Sequence, residues 1–161
     1  DQLADIFTGS LTNWKQVGGT NAKIVILSRE VNSGTHVYFK EHVLQKGDKT
    51  SKADYATAAL LMPSSQAIHD EVAQNPQAIG YVGLGYVDNR VRALRVASKA
   101  GEAFVAPSAQ TVISKEYPIS RPLFFYTNGE PAAAVKAFVD FVLGPEGQEV
   151  VSQLDFVALK S

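Results

Sequence analysis

Lys23-Ile24-Val25-Ile26-Leu27-Ser28, running straight into Arg29-Glu30-Val31-Asn32-Ser33-Gly34-Thr35-His36, decides how this chain folds. The first six residues are a largely β-branched run preceded by Gly18-Gly19-Thr20-Asn21, and an apolar run bounded by turn residues reads as a strand. Past His36, residues Val37, Phe39, Val43 and Leu44 follow helical spacing, so the loop between the two opens a helix. The first N–H groups of a helix have no intrahelical acceptor and sit at the positive end of the macrodipole, so they can receive a tetrahedral anion without a metal. Ser33 and Thr35 bring hydroxyl donors, Gly34 has no Cβ to hold a ligand off, and Arg29 brings a fork able to grip two oxygens. The same residues admit a plainer reading, in which Ser33 caps the helix and Arg29 pairs on the surface with Glu30 or Glu41.

With 161 residues, 45% of them hydrophobic, the chain can bury a core and amounts to one domain or a large part of one. Its 15 basic and 16 acidic residues give a net charge of −1 with no basic tract, which argues against a nucleic-acid partner. The absence of cysteine removes thiolate metal sites, redox motifs and cysteine nucleophiles. No stretch approaches 18 apolar residues, so no segment reads as a membrane span. The first residue is Asp rather than Met, which suggests a trimmed product without its leader.

The remaining elements follow from periodicity and punctuation. Leu3, Ile6 and Phe7 mark a short first helix that ends at Gly9, and Trp14 in the next turn is expected to be buried. Residues 46–63 read as a long loop, and Ser64-Ser65-Gln66 starts a helix that stops at Asn75-Pro76. Strands are expected over 78–83, 91–96 and 121–127, the last with Pro122 at its start or on an edge. Pro107-Ser108 opens a helix near Thr111–Ile113. A longer amphipathic helix runs to Leu143 with Val135, Phe138, Val139 and Val142 as its buried stripe, Gly144-Pro145 breaks it, and a final helix covers 146–154. Strands alternating with helices give an α/β layer fold.

Other chemistries find little support. His36, His42 and His69 lack metal-ligand spacing and read as solvent-facing helix positions, so no metal and no cofactor are assigned. Gly80-Tyr81-Val82-Gly83-Leu84-Gly85 does not have the dinucleotide spacing and reads as close backbone packing. Neither G-x-S-x-G nor S-x-x-K occurs. Ser64-Ser65 reads as an N-cap, with a second hydroxyl pair near the anion as its alternative. Burial is the default for Trp14, Tyr81, Tyr86 and Phe124-Phe125-Tyr126, although the last three could present an exposed apolar face.

Six signatures, in order, resemble the phosphate-binding proteins of bacterial ABC importers, within the class of two-lobed periplasmic binding proteins. They are Asp5-Ile6-Phe7-Thr8-Gly9 with Asn13-Trp14, Val17-Gly18-Gly19, Arg29 with Ser33-Gly34-Thr35, Ile79-Gly80-Tyr81-Val82-Gly83, Tyr117-Pro118-Ile119-Ser120-Arg121-Pro122-Leu123, and Gly144-Pro145-Glu146-Gly147-Gln148. The resemblance implies a periplasmic-binding-protein-like lobe with a mixed, mainly parallel sheet flanked by helices. It makes residues 1–116 the second lobe and 117–161 a C-terminal segment that in relatives crosses back to a first lobe, which is absent here. It also implies that Arg29, Ser33, Gly34 and Thr35 contact inorganic phosphate, that the protein is not an enzyme, that it works in the periplasm or otherwise outside the cytoplasm, and that its partner is a membrane permease. Some members place an Asp two residues after the Arg to accept a proton from phosphate; Val31 stands there in this chain, so phosphate and sulfate are not distinguished by this loop. A sensory or adhesive module reusing the same lobe is the alternative, and a phosphate-ester enzyme a more distant one, since the loop offers only Glu30 and Glu41 as carboxylates.

A charge-assisted hydrogen bond is worth about 1.5–3 kcal/mol net, against several kcal/mol of rigid-body freedom lost on binding. Half a site is therefore expected to hold phosphate weakly unless a swapped or lobe-complementing homodimer supplies the other wall. Calorimetry on the isolated 161-residue chain should show weak binding; one tight phosphate per monomer would contradict the expectation.

Overall fold

β1 (Val25–Arg29) is the centre of a three-stranded parallel sheet of order β2-β1-β3, with β2 at Leu60–Met62 and β3 at Ala78–Ile79. Its register pairs Leu27 with Leu60 and Arg29 with Met62 on one side, and Val25 with Ala78 and Ile26 with Ile79 on the other. The computed structural model describes residues 1–154 and 156–159, which divide into two units: Asp1–Ala93 with Lys99–Glu102, and Leu94–Ser98 with the chain from Ala103 onward.

In the first unit, helices cover both faces of β1, as parallel strands require. Ile24 and Ile26 point into a cluster with Ile6, Phe7, Phe39, Leu44 and Ile79. Ile6 and Phe7 come from α1 (Gln2–Phe7) and Phe39 from α2 (Gly34–Phe39), which passes into a single π turn at Lys40–Leu44. Leu27, on the opposite face, lies against α3 (Ser65–Gln74), where Ile68 is fully buried. Ser64 caps α3, its hydroxyl accepting from the Ala67 amide at 3.0 Å, so the capping reading of this serine holds. The long connection after α2 is tied down by its backbone, the Ala56 N–H donating to the Phe7 carbonyl at 2.8 Å.

Several expected elements differ. The connection 46–63 contains β2, which is only three residues long and leaves Leu60 and Leu61 exposed, too short for its alternation to register in sequence. Of the strand expected over 78–83, only Ala78–Ile79 pairs. Residues 91–96 and 121–127 form no strand: Val96 makes one antiparallel bridge to Val105, and 121–127 have no ladder among the described residues. An apolar run becomes a strand only where another backbone accepts its hydrogen bonds. Trp14 is half-buried, packing on the cluster while its indole N–H donates to the Gln77 carbonyl at 3.0 Å.

The second unit holds α4 (Ala109–Ile113), α5 (Ala133–Leu143) and α6 (Pro145–Gln153), and includes the segment expected from Tyr117, of which residues 155, 160 and 161 lie outside the described residues. Ser108 and Thr111 form a capping box on α4. The break at Gly144-Pro145 falls as expected, and Gly147 is pressed so close to α5 that a Cβ there would meet the Phe141 carbonyl at 2.3 Å. The expected buried stripe on α5 is corrected: Val135 and Phe138 are exposed and Val139 and Val142 only half-buried. Phe138 meets Phe125 edge-on at 5.9 Å and stays exposed. Leu123 to Tyr126 are exposed, Tyr126 to 90%.

Gly80 follows β3 where α3 crosses the sheet, and a Cβ at this position would sit 2.4 Å from Ile68 Cγ2 and 3.4 Å from Leu27 Cβ. Gly80→Ala should therefore overpack this face and cost about 1–3 kcal/mol, read as a lower urea midpoint with an unchanged slope.

Candidate functional site

Alternation along β1 sends consecutive side chains to opposite faces, and it splits the loop's chemistry in two. Ser28 faces the α2 side and is fully buried, whereas Arg29 faces the α3 side. The Arg29 guanidinium donates from one terminal nitrogen to Ser65 Oγ at 3.2 Å and from the other to the Pro63 carbonyl at 3.3 Å. Its Nε is buried and is the one such side-chain atom among the described residues with no hydrogen-bond partner. A buried donor left unpaired costs about 1–3 kcal/mol.

Ser33, Gly34 and Thr35 lie together at the first turn of α2, with Ser33 in the N-cap position, buried, and its amide donating to the Glu30 carbonyl at 2.9 Å. The Ser33 side chain makes no capping hydrogen bond, so the capping reading does not hold at α2. Among the described residues, the N–H groups of Gly34, Thr35 and His36 have no protein acceptor. Nor does any hydrogen bond among them join the Arg29 side chain to Ser33, Gly34 or Thr35, and no ion pair joins it to Glu30 or Glu41. Because Arg29 and Met62 are register partners on adjacent parallel strands, the starts of α2 and α3 lie side by side at the carboxyl ends of β1 and β2, with Arg29 between them. That edge is where open α/β sheets present ligands. Val31 is 68% exposed in the intervening turn.

The solvent-facing reading of the histidines is corrected for two of them. His36 is 6% exposed and His69 3%, while His42 is exposed and stacks on Tyr38 at 5.0 Å. A lone polar residue in an apolar pattern does not reveal its face; here partners on distant segments account for the burial. His36 Nδ1 lies 2.8 Å from the Arg29 carbonyl and 3.1 Å from Ser28 Oγ. Tyr81 and Tyr55 join the same cluster, their hydroxyls 2.9 Å apart. Sequence reasoning assigned Tyr81 to the core and passed over Tyr55 and the contact of Ser65 with Arg29. The available signal was two tyrosines beside runs that pack against Phe39, which need a polar outlet when buried.

His69, on α3, is enclosed by acids: Nε2 lies 2.9 Å from Asp88 and Nδ1 3.2 Å from Asp70, and Arg90 Nε closes onto Asp88 at 3.0 Å. Hydrogen bonds to Asp88, then to Asp70, raise the His69 pKa above its ordinary value against the opposing effect of burial. The His69 ring in turn holds the Asp88 and Asp70 carboxyls below theirs.

The description "PBP superfamily domain" fits residues 1–146. The chain belongs to the PBP superfamily. Among relatives of this superfamily chain, the phosphate-binding protein PstS of Borreliella burgdorferi is 32% identical over 164 residues, covering 100% of this chain and 58% of its own. PstS of Bacillus subtilis is 34% identical over 152 residues, covering 94% and 46%. The chain thus spans about half the length of the curated relatives it matches. The crystal structure of PstS from Borrelia burgdorferi superposes with a TM-score of 0.78 at 33% identity, covering 99% of this chain and 62% of that one. An ABC-type phosphate transport receptor from Vibrio cholerae gives 0.78 at 29% identity, covering 97% and 61%. The PBP-like α/β fold expected from the sequence is thereby established.

The His69 cluster makes stability depend on pH in two directions. Its histidine share is fully present below the unfolded value of about 6.5 and is lost as pH rises through the raised folded value. The Asp70 and Asp88 shares are present above about 3.9 and are lost as pH falls through their lowered values. Thermal melts across pH should show a plateau between these limits, and His69→Gln should flatten the neutral-side decline.

Proposed function

We propose that this chain is part of a phosphate-binding solute receptor, in which Arg29, Ser33, Gly34 and Thr35 form one wall of an inorganic phosphate site. The observation that carries the reading is the uncapped first turn of α2, where Ser33 withholds its hydroxyl from the helix and three successive amides lack a protein acceptor. Arg29 supports it from the neighbouring strand end, since its guanidinium is anchored on Ser65 and Pro63 while the buried Nε keeps one donor unclaimed. Amide dipoles and a fixed cation together stabilise an oxyanion by charge-assisted hydrogen bonds. The relatives named phosphate-binding protein PstS, and the phosphate transport receptor of like fold, point to the same ligand.

In this reading the protein breaks no bond. It captures phosphate between two lobes outside the cytoplasm and hands it to the permease of an ABC importer, with lobe closure marking the loaded state. The present chain supplies one lobe, and a second lobe or a second copy of the chain supplies the other wall. In this reading Val31, exposed in the turn, cannot accept a proton from the ligand, so the acceptor that selects phosphate over sulfate comes from elsewhere in the intact site.

In the intact two-lobed protein, Arg29→Ala should remove most phosphate affinity. Loss of one charge-assisted bond corresponds to roughly 10- to 100-fold weaker binding, measured by calorimetry with inorganic phosphate. Unchanged affinity would exclude Arg29 from the site.

A further inference from the structure

Behind the proposed anion loop, four side chains from separate parts of the first unit meet at hydrogen-bond distance. Tyr81 O–H lies 2.7 Å from Ser28 Oγ and 2.9 Å from the Tyr55 hydroxyl, and it accepts from the Arg29 amide at 3.2 Å. Tyr55 O–H donates to the His36 carbonyl at 3.0 Å. His36 Nδ1 stands 2.8 Å from the Arg29 carbonyl and 3.1 Å from Ser28 Oγ.

Proton counting leaves one arrangement. A carbonyl can only accept, so Tyr55 uses its single proton on His36 and must accept from Tyr81. Tyr81, having given its proton to Tyr55, receives one from Ser28, because two oxygens 2.7 Å apart need a hydrogen between them. That rules out Ser28 as principal donor to the Arg29 carbonyl, which lies farther off at 3.2 Å. The Arg29 carbonyl is then filled by His36 Nδ1–H, shared with Ser28 Oγ. The result is a closed ring of donors and acceptors: Arg29 amide to Tyr81, Tyr81 to Tyr55, Tyr55 to the His36 carbonyl, and His36 Nδ1–H back to the Arg29 carbonyl.

We infer that this ring, made by His36, Tyr55 and Tyr81 with Ser28, positions the anion loop by clamping the backbone of Arg29 at its entry to the backbone of His36 at its exit. The inference rests on the phosphate reading above and names its positioning residues. Both polar backbone groups of Arg29 are held by side chains because β3 ends at Ile79 and offers no further ladder. Ring contacts keep the clamp rigid, Phe39 stacking on Tyr81 at 4.3 Å and 12° and His36 lying tilted 4.4 Å from Tyr55. Tyr55 remains a neutral donor, since burial pushes its phenol well above the ordinary value. With entry and exit fixed, the amides of Gly34, Thr35 and His36 keep one orientation before any ligand arrives, which lowers the ordering cost of binding.

The test uses the intact protein with inorganic phosphate as the probe. Nitrogen-15 NMR of the His36 ring should show Nδ1 protonated; an Nε2–H tautomer overturns the ring. An Asn amide nitrogen takes the place of Nδ1 and a Gln amide nitrogen that of Nε2, so His36→Asn should bind phosphate about tenfold or more tighter than His36→Gln. A packing role would give no such ranking. Tyr81→Phe, which keeps the stack and removes the hydroxyl, should weaken phosphate about tenfold with the fold intact by NMR. If the unaltered protein binds phosphate and the Asn and Gln variants bind alike, the positioning inference fails alone. If the unaltered protein gives no phosphate binding at all, the phosphate reading fails and takes the inference with it.

Discussion

A single strand buried on both faces governs this site. β1 must offer apolar side chains to α1 and α2 on one side and to α3 on the other, so its last two residues, Ser28 and Arg29, leave in opposite directions. Ser28 can only join the polar cluster under α2, and Arg29 can only reach the start of α3. The guanidinium is therefore held by Ser65 and the Pro63 carbonyl at the approach to α3, with its buried Nε unpaired.

The polar groups beneath the loop are the cost of placing a serine and a histidine in a buried layer. Ser28, His36, Tyr55 and Tyr81 are tolerated because each finds partners among the others and the Arg29 and His36 backbones. A buried network of this kind is stabilising only when every member is satisfied, and it then specifies one geometry. The unsatisfied groups among the described residues are the buried Arg29 Nε and the first amides of α2. Those uncapped amides are what distinguish this loop from the capped start of α3.

Legibility in the sequence followed the range of the interactions involved. The strand at Val25–Arg29, the helix starts after Ser33 and Ser64, and the break at Gly144-Pro145 are local and were read correctly to within a residue or two. β2 escaped because three residues cannot display alternation, and 121–127 read as a strand because composition alone carries no partner. Val135 and Phe138 have the spacing of a buried stripe and are exposed, since periodicity tells which face would bury and not whether anything covers it. His36 and His69 were misplaced for the converse reason, their partners lying on segments up to 21 residues away.

The sequence by itself determined the α/β class and the crowding of a guanidinium, two hydroxyls and a glycine at one strand-to-helix junction, because these depend on backbone propensity and neighbours a few positions apart. Tertiary structure alone decided that Arg29 anchors on α3, that Ser33 leaves α2 uncapped, and that Tyr55 and Tyr81 close a ring on His36. Those facts depend on which side of a pleated strand each residue leaves and on what distant backbone stands there, and neither is encoded in local spacing.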